Sequence, residues 1–191
     1  MNAKALFLAT LDQATAVIDH VAPDDYHRPT PDTEWDVAAL AGHMLYELCW
    51  VPDLLQGKTI AEVGSVYDGD LIGDALAANW HAAAARAREA LDTADLQAMV
   101  HVSYGDITAE AYLQQVAADL CIHAWDLGEG IGKSVAFPAQ VTQVVYDYLL
   151  PRLTDYEQSN LFAPPVIVPE AADLQTKLLA LTGRRVNWPA L

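Results

Sequence analysis

Residues 109–129 read AEAYLQQVAADLCIHAWDLGE. Thr108 before them is a good N-cap, since its hydroxyl accepts from a free amide of the first turn. Gly130 and Gly132 after them are helix stops. The sequence therefore predicts one unbroken helix from about Ala109 to Glu129. Within it, Asp119 and His123 stand at i and i+4, which puts both side chains on one face, about 5–6 Å apart at Cβ. The surrounding residues are apolar, and an unpaired carboxylate is costly in such a setting. Two readings fit: an Asp–His hydrogen bond inside a core, or two ligands of one metal ion. Metal sites in helix bundles are made from side chains that project inward from facing helices.

The rest of the chain supplies such helices. Leu6, Leu8, Leu11, Ala14, Val17, Ile18 and Val21 recur at three and four and predict a helix over about Ala3–Val21, ended by Pro23. The stretch APDDYHRPTPDTE is a loop by its prolines and aspartates. A helix from about Trp35 to Gln56 follows, with Thr33 as N-cap, Glu34 and Asp36 acidic in its first turn, and Gly57 as its stop. Pro52 lies inside it and would kink or divide it. GKTIAEVGSVYDGDLIG is a glycine-rich loop. The Ala-rich segment from about Asp74 to Leu91 favours helix, and residues 98–105 read as a short extended arm. Pro138 opens a helix to about Tyr156, APPVIVPE is extended because of its prolines, and a last helix spans about Ala171–Thr182. No internal repeat appears. The expected fold class is all-α, a helix bundle in a single domain over 1–191, with a C-terminal extension from about residue 160.

Charge narrows the partners. The chain has 26 acidic and 10 basic residues, a formal net charge of −16. Nucleic acid and anionic membrane surfaces both require clustered Lys and Arg, so neither is expected. A metal ion or a cationic partner is easier to host. The N-terminal run MNAKALFLATLDQATAV is broken by Asp12 and Gln13 and has no basic leader with a cleavage site. The chain has no apolar run of about 18 residues. The expected compartment is the cytoplasm. Cys49 and Cys121 lie in apolar helical stretches and read as buried thiols, not a disulfide framework.

A third candidate ligand lies on the second predicted helix. His43 sits mid-helix in LAGHMLYELCW, with Tyr46, Glu47 and Trp50 on the same face at +3, +4 and +7. A face this polar either lines a cavity or meets solvent, and His43 alone reads equally as a satisfied core histidine. Asp126 either orients a ligand imidazole or is an exposed helix-end acid. Trp125 lies off the ligand face and reads as core. Cys121 is two residues from both Asp119 and His123, on the far side of its helix, and is a poor ligand. His20, His27, His81 and His101 lack partners at ligand spacing. No GxGxxG, Walker A, GxSxG or CxxC motif is present.

Two runs together resemble a known family. TPDTEWDVAALAGHMLYELCWVPDLLQGK is similar to the N-terminal signature of the mycothiol-dependent maleylpyruvate isomerase-like proteins, members of the DinB-like superfamily. AADLCIHAWDLGEGIGK is similar to their second signature, and FAPPVIVPEAADLQTKLLALTGRRVNW resembles the C-terminal segment of short actinobacterial members. The resemblance implies a DinB-like four-helix bundle with additional short helices. It also implies a metal bound by His43, Asp119 and His123, where Asp119 is one methylene shorter than a glutamate. The chain is expected to lack an extra C-terminal part of the full-length isomerase, so maleylpyruvate isomerisation itself is not implied.

Two imidazoles and a carboxylate suit Zn²⁺, with Ni²⁺ as the alternative, and three protein ligands leave a position open. By analogy with the family it resembles, the expected function is transfer or isomerisation of a small electrophilic metabolite with a low-molecular-weight thiol such as mycothiol. Tyr46, Glu47 and Trp50 are the expected substrate contacts. Two other readings stay open. One is a thiol-independent metal-dependent hydrolase, isomerase or cyclase of specialised metabolism. The other is a non-catalytic metal- or ligand-binding module, with Glu47 as a fourth ligand and a homodimer among its forms.

Overall fold

The computed structural model describes residues 1–154 and 162–188. Helix α1 spans Ala3–Ile18 and is capped by Asn2, whose side chain accepts from the Ala5 amide. Helix α2 spans Val37–Leu55, a one-turn α3 Ile60–Val63, α4 Leu76–Thr93 and α5 Ala109–Gly130. Strands β1 (Met99–Val102) and β2 (Gly105–Thr108) precede α5, and α6 (Ala139–Leu149) and α7 (Leu174–Leu181) follow it.

Helices α1, α2, α4 and α5 make a closed four-helix arrangement, with α1 against α5 and α4, and α2 against α4 and α5. The apolar stripes read from the sequence meet in its centre, where Phe7, Leu11, Leu40, Met44, Leu48, Trp80, Leu113 and Leu120 are fully buried. Polar ties fix the helices in place. Lys4 Nζ donates to the carbonyls of Leu91 and Ala94 at 2.7 and 2.8 Å, and Trp80 Nε1 donates to Thr15 Oγ1 at 2.8 Å. Helices α6 and α7 pack on each other, and α6 also meets α5 and α1. Cys49 and Cys121 are buried free thiols, and Trp125 is core. No helix among the described residues is long and apolar enough to cross a membrane.

Several element boundaries differ from the sequence expectation for local reasons. Helix α2 starts two residues later than predicted, with Asp36 as its cap in place of Thr33; the Asp36 side chain accepts from the Ala39 amide at 2.9 Å. The Thr30 hydroxyl bonds the carbonyls of Asp32 and Trp35, and the Val37 amide donates to the Arg28 carbonyl. These bonds tie 30–36 into a turn and leave Trp35 outside the helix. Pro52 does not divide α2, because it falls in the final turn, and Gly57 follows in the left-handed region (φ 80°). The glycine-rich loop contains α3, held by a reciprocal cap between Thr59 and Glu62 that TIAE spells out.

The extended arm is a two-stranded antiparallel hairpin, Val102 opposite Gly105, leading into the Thr108 cap. Helix α6 tightens into a 3₁₀ turn at Leu150–Arg152, where Pro151 removes a backbone donor. The rest of the predicted stretch to Tyr156 lies, at 155–156, outside the described residues. APPVIVPE has no regular structure through residue 169. Helix α7 starts at Leu174, later than predicted, because Asp173 caps it.

Candidate metal centre

Helix α5 brings Asp119 and His123 to the side of α2 that carries His43. His123 Nε2 lies 3.4 Å from Asp119 Oδ1, and His43 Nε2 lies 3.6 Å from Asp119 Oδ2. One donor atom from each of the three residues lies within 4.8 Å of the other two. Tetrahedral donors at zinc–nitrogen bond lengths sit about 3.4 Å apart, and the two imidazole–carboxylate distances, each to a different oxygen of Asp119, are close to that. A second observation agrees. Asp119 Oδ2 is buried and accepts no hydrogen bond from any described residue. An ion would supply the missing partner.

The neighbours hold this trio in one orientation. Asp126 is fully buried, not an exposed helix-end acid, and its Oδ2 accepts from His123 Nδ1 at 3.2 Å. That bond leaves Nε2 of His123 as the atom facing Asp119 and His43. Arg184, from the tail after α7, holds Asp126 in turn: Nε donates to both carboxylate oxygens at 3.2 Å and Nη2 to Oδ2 at 2.8 Å. The same guanidinium reaches Asp32 at 2.9 Å and the Thr182 carbonyl at 2.7 Å. The Trp35 indole stacks on His43 with ring centres 4.5 Å apart. Sequence reading placed Trp35 in a helix and assigned Asp32 and Arg184 no role. The tandem Arg184–Arg185 in a strongly acidic chain was the one available hint.

The titration behaviour follows from these contacts. For His123, burial disfavours the charged form, but the charge of Asp119 and hydrogen bonds to Asp119 and Asp126 outweigh it and push its pKa to about 10. For Asp119, burial acts to raise the pKa, yet His123 and then His43 hold the carboxyl far below its ordinary range. For Asp126, burial is again opposed by His123 and Arg184, and the carboxyl stays below its usual value. Glu47 is raised, first by burial and then by the negative charge of Asp119.

Two cavities meet at His43. One, of about 560 Å³, is bounded by Asp32, Glu34, Trp35, His43, Asp119, His123, Phe162 and Arg184 among others. The other, of about 570 Å³, includes Gly42, His43, Tyr46, Tyr67, Asp68 and Leu71. Of the three residues expected to touch substrate, Tyr46 faces this second cavity. Glu47 is half-buried in the field of the trio and borders neither. Trp50 is buried, its ring against Tyr46 and Tyr67 at 5.9 and 5.7 Å. Among the other histidines, His27, His81 and His101 each face an aspartate near the surface, Asp36, Asp19 and Asp106.

A helical bundle with a His–Asp–His cluster on facing helices defines the class. The chain belongs to the mycothiol maleylpyruvate isomerase N-terminal domain family, whose profile matches residues 7–128. In fold it resembles a mycothiol-dependent maleylpyruvate isomerase at TM-score 0.71, with 16% identity over 97% of this chain and 89% of that one. A histidine-to-alanine mutant of a mycothiol-dependent maleylpyruvate isomerase matches at TM-score 0.64 and 16% identity, over 85% of this chain and 72% of that one. No curated protein matches the chain in sequence.

Proposed function

We propose that this chain binds one divalent metal ion through His43, Asp119 and His123 and catalyses a thiol-dependent transfer or isomerisation on a small electrophile, with mycothiol as the thiol. The observation that carries the reading is the convergence of three donors from α2 and α5, spaced for one ion, at the wall of a cavity of about 560 Å³. Cavities that hold small ligands commonly measure about 300–1,000 Å³. The naming of the family and its solved relatives for mycothiol supports the thiol. Zinc is the preferred ion and nickel the alternative.

A divalent ion in this site supplies Lewis acidity that favours the thiolate of a bound low-molecular-weight thiol. The chain's own residues do the rest. Asp126 keeps the Nδ1 proton of His123 and so presents Nε2 as a donor. Arg184 holds Asp126 against rotation. Trp35 fixes the plane of His43 and closes one side of the cavity against water. Tyr46 lines the second cavity, which meets the first at His43, and the Trp50 ring packs edge-on against it. Glu47 lies in the field of the trio and borders neither cavity, so no proton transfer is assigned to it.

The test is a thiol-conjugation assay on zinc-loaded protein, with and without mycothiol. The expected result is turnover that needs both metal and thiol and is lost in the His43→Ala, His123→Ala double variant. Turnover without thiol would transfer the reading to the thiol-independent class.

A further inference from the structure

We infer that the cavity bounded by Trp35, Phe162 and Arg184 selects an uncharged or cationic molecule with an apolar, ring-sized body and rejects carboxylates. This deepens the proposed function and rests on its reading of the cavity as the substrate site. Apart from the candidate ligand trio His43, Asp119 and His123, the described walls carry Asp32 and Glu34 against one basic side chain, Arg184. That guanidinium is spent within the protein. Every one of its nitrogens already donates, to Asp126, Asp32 or the Thr182 carbonyl. Its side chain is 4% exposed. Residues 155–161 (DYEQSNL) and 189–191 (PAL), outside the described residues, contain no Lys or Arg. A carboxylate in the cavity therefore has no cationic side chain to meet, apart from the candidate metal ligands.

Glu34 adds an exposed negative charge at the rim that no described residue engages, and Asp32 is only half-screened by an arginine it shares with Asp126. Like charges across a few ångströms of partly desolvated space repel, and such repulsion is a common source of specificity. The apolar part of the walls, Trp35, Ala118, Leu149, Phe162 and Pro164, suits a flat apolar body, beside polar Thr33, Gln115 and Thr182. A dicarboxylate such as maleylpyruvate is a poor match to this surface.

The test titrates benzyl alcohol, benzylamine and benzoate into metal-free and zinc-loaded full-length protein, followed at the Trp35 indole N–H by NMR. In metal-free protein, benzyl alcohol and benzylamine are expected to bind about tenfold or more tighter than benzoate. Glu34→Gln, at an exposed position that leaves the fold intact, is expected to narrow the ratio, and adding Asp32→Asn to narrow it further. Benzoate binding as well as benzyl alcohol in the metal-free protein overturns the inference, as does a ratio indifferent to both substitutions. Preference for benzoate on zinc loading overturns it too, because the ion would then set selectivity. Zinc uptake measured on the same samples separates the two claims: absent uptake with charge selection intact removes the metal reading and leaves this one.

Discussion

Replacing Arg184 by methionine removes the guanidinium and leaves the apolar stem. Among the described residues Asp126 then keeps His123 as its only partner in a fully buried position, since Arg184 supplies three of the hydrogen bonds to its carboxylate. Breaking one side of a buried ion pair commonly costs about 3–5 kcal/mol. For a chain of this length each kcal/mol lowers the melting temperature by about 2–4 °C, so a drop of about 6–20 °C is expected for metal-free Arg184→Met. The pH dependence gives a second reading. The folded pKa of Asp126 is depressed, so its contribution is present above the unfolded carboxylate value and lost as pH falls through the folded one. In the variant the carboxyl protonates more readily, so the stability gap to the parent narrows as pH falls below about 4, toward the depressed value of the parent. Calorimetry from about pH 2 to 8 measures both. A loss under about 1 kcal/mol at neutral pH, or a gap of constant size across the range, would refute the buried relay Asp32–Arg184–Asp126–His123.

Other consequences follow from the same contacts. Metal uptake near neutral pH should release a proton from His123, whose metal-free pKa is about 10, so affinity should rise about tenfold per pH unit below that value. Calorimetric titration in buffers of different ionisation enthalpy reads the released proton, and none released counts against the ion pair. In the metal-free protein the raised His123 pKa contributes stability below about pH 6.5 that is lost as pH climbs through about 10. Asp126→Asn should weaken metal binding about 10–100-fold while leaving His43, Asp119 and His123 in place, as chelator competition would show. Gly128→Ala should destabilise by about 1–3 kcal/mol in denaturant unfolding, because a Cβ there would lie 2.4 Å from Val135 Cγ2 and 2.7 Å from the Lys133 carbonyl oxygen.

The sequence exposed the parts of this protein governed by short-range rules. The i, i+4 spacing put Asp119 beside His123, the Thr108 cap and Gly130 stop bounded α5, and alternation at three and four marked the bundle faces. The family resemblance, not spacing, brought His43 to the pair, since nothing local relates α2 to α5. Residues whose roles depend on tertiary closure stayed hidden. Trp35 looked helical because its turn is set by Thr30, five residues upstream. Arg184 gave no local sign of its partners because Asp32 and Asp126 are far away in sequence. Trp50 shared a helical face with His43, yet side-chain packing against Tyr67 buried it. The one-turn α3 was legible in TIAE but was masked by the surrounding glycines.

X-ray absorption on protein purified without chelator or a histidine tag and loaded with zinc observes the ion's ligands directly. One zinc per chain with two imidazole nitrogens and a carboxylate oxygen at about 2.0–2.2 Å is expected, abolished in the His43→Ala, His123→Ala double variant. A chain that takes up no ion, or a double variant that keeps the same ion with unchanged ligands, would contradict it.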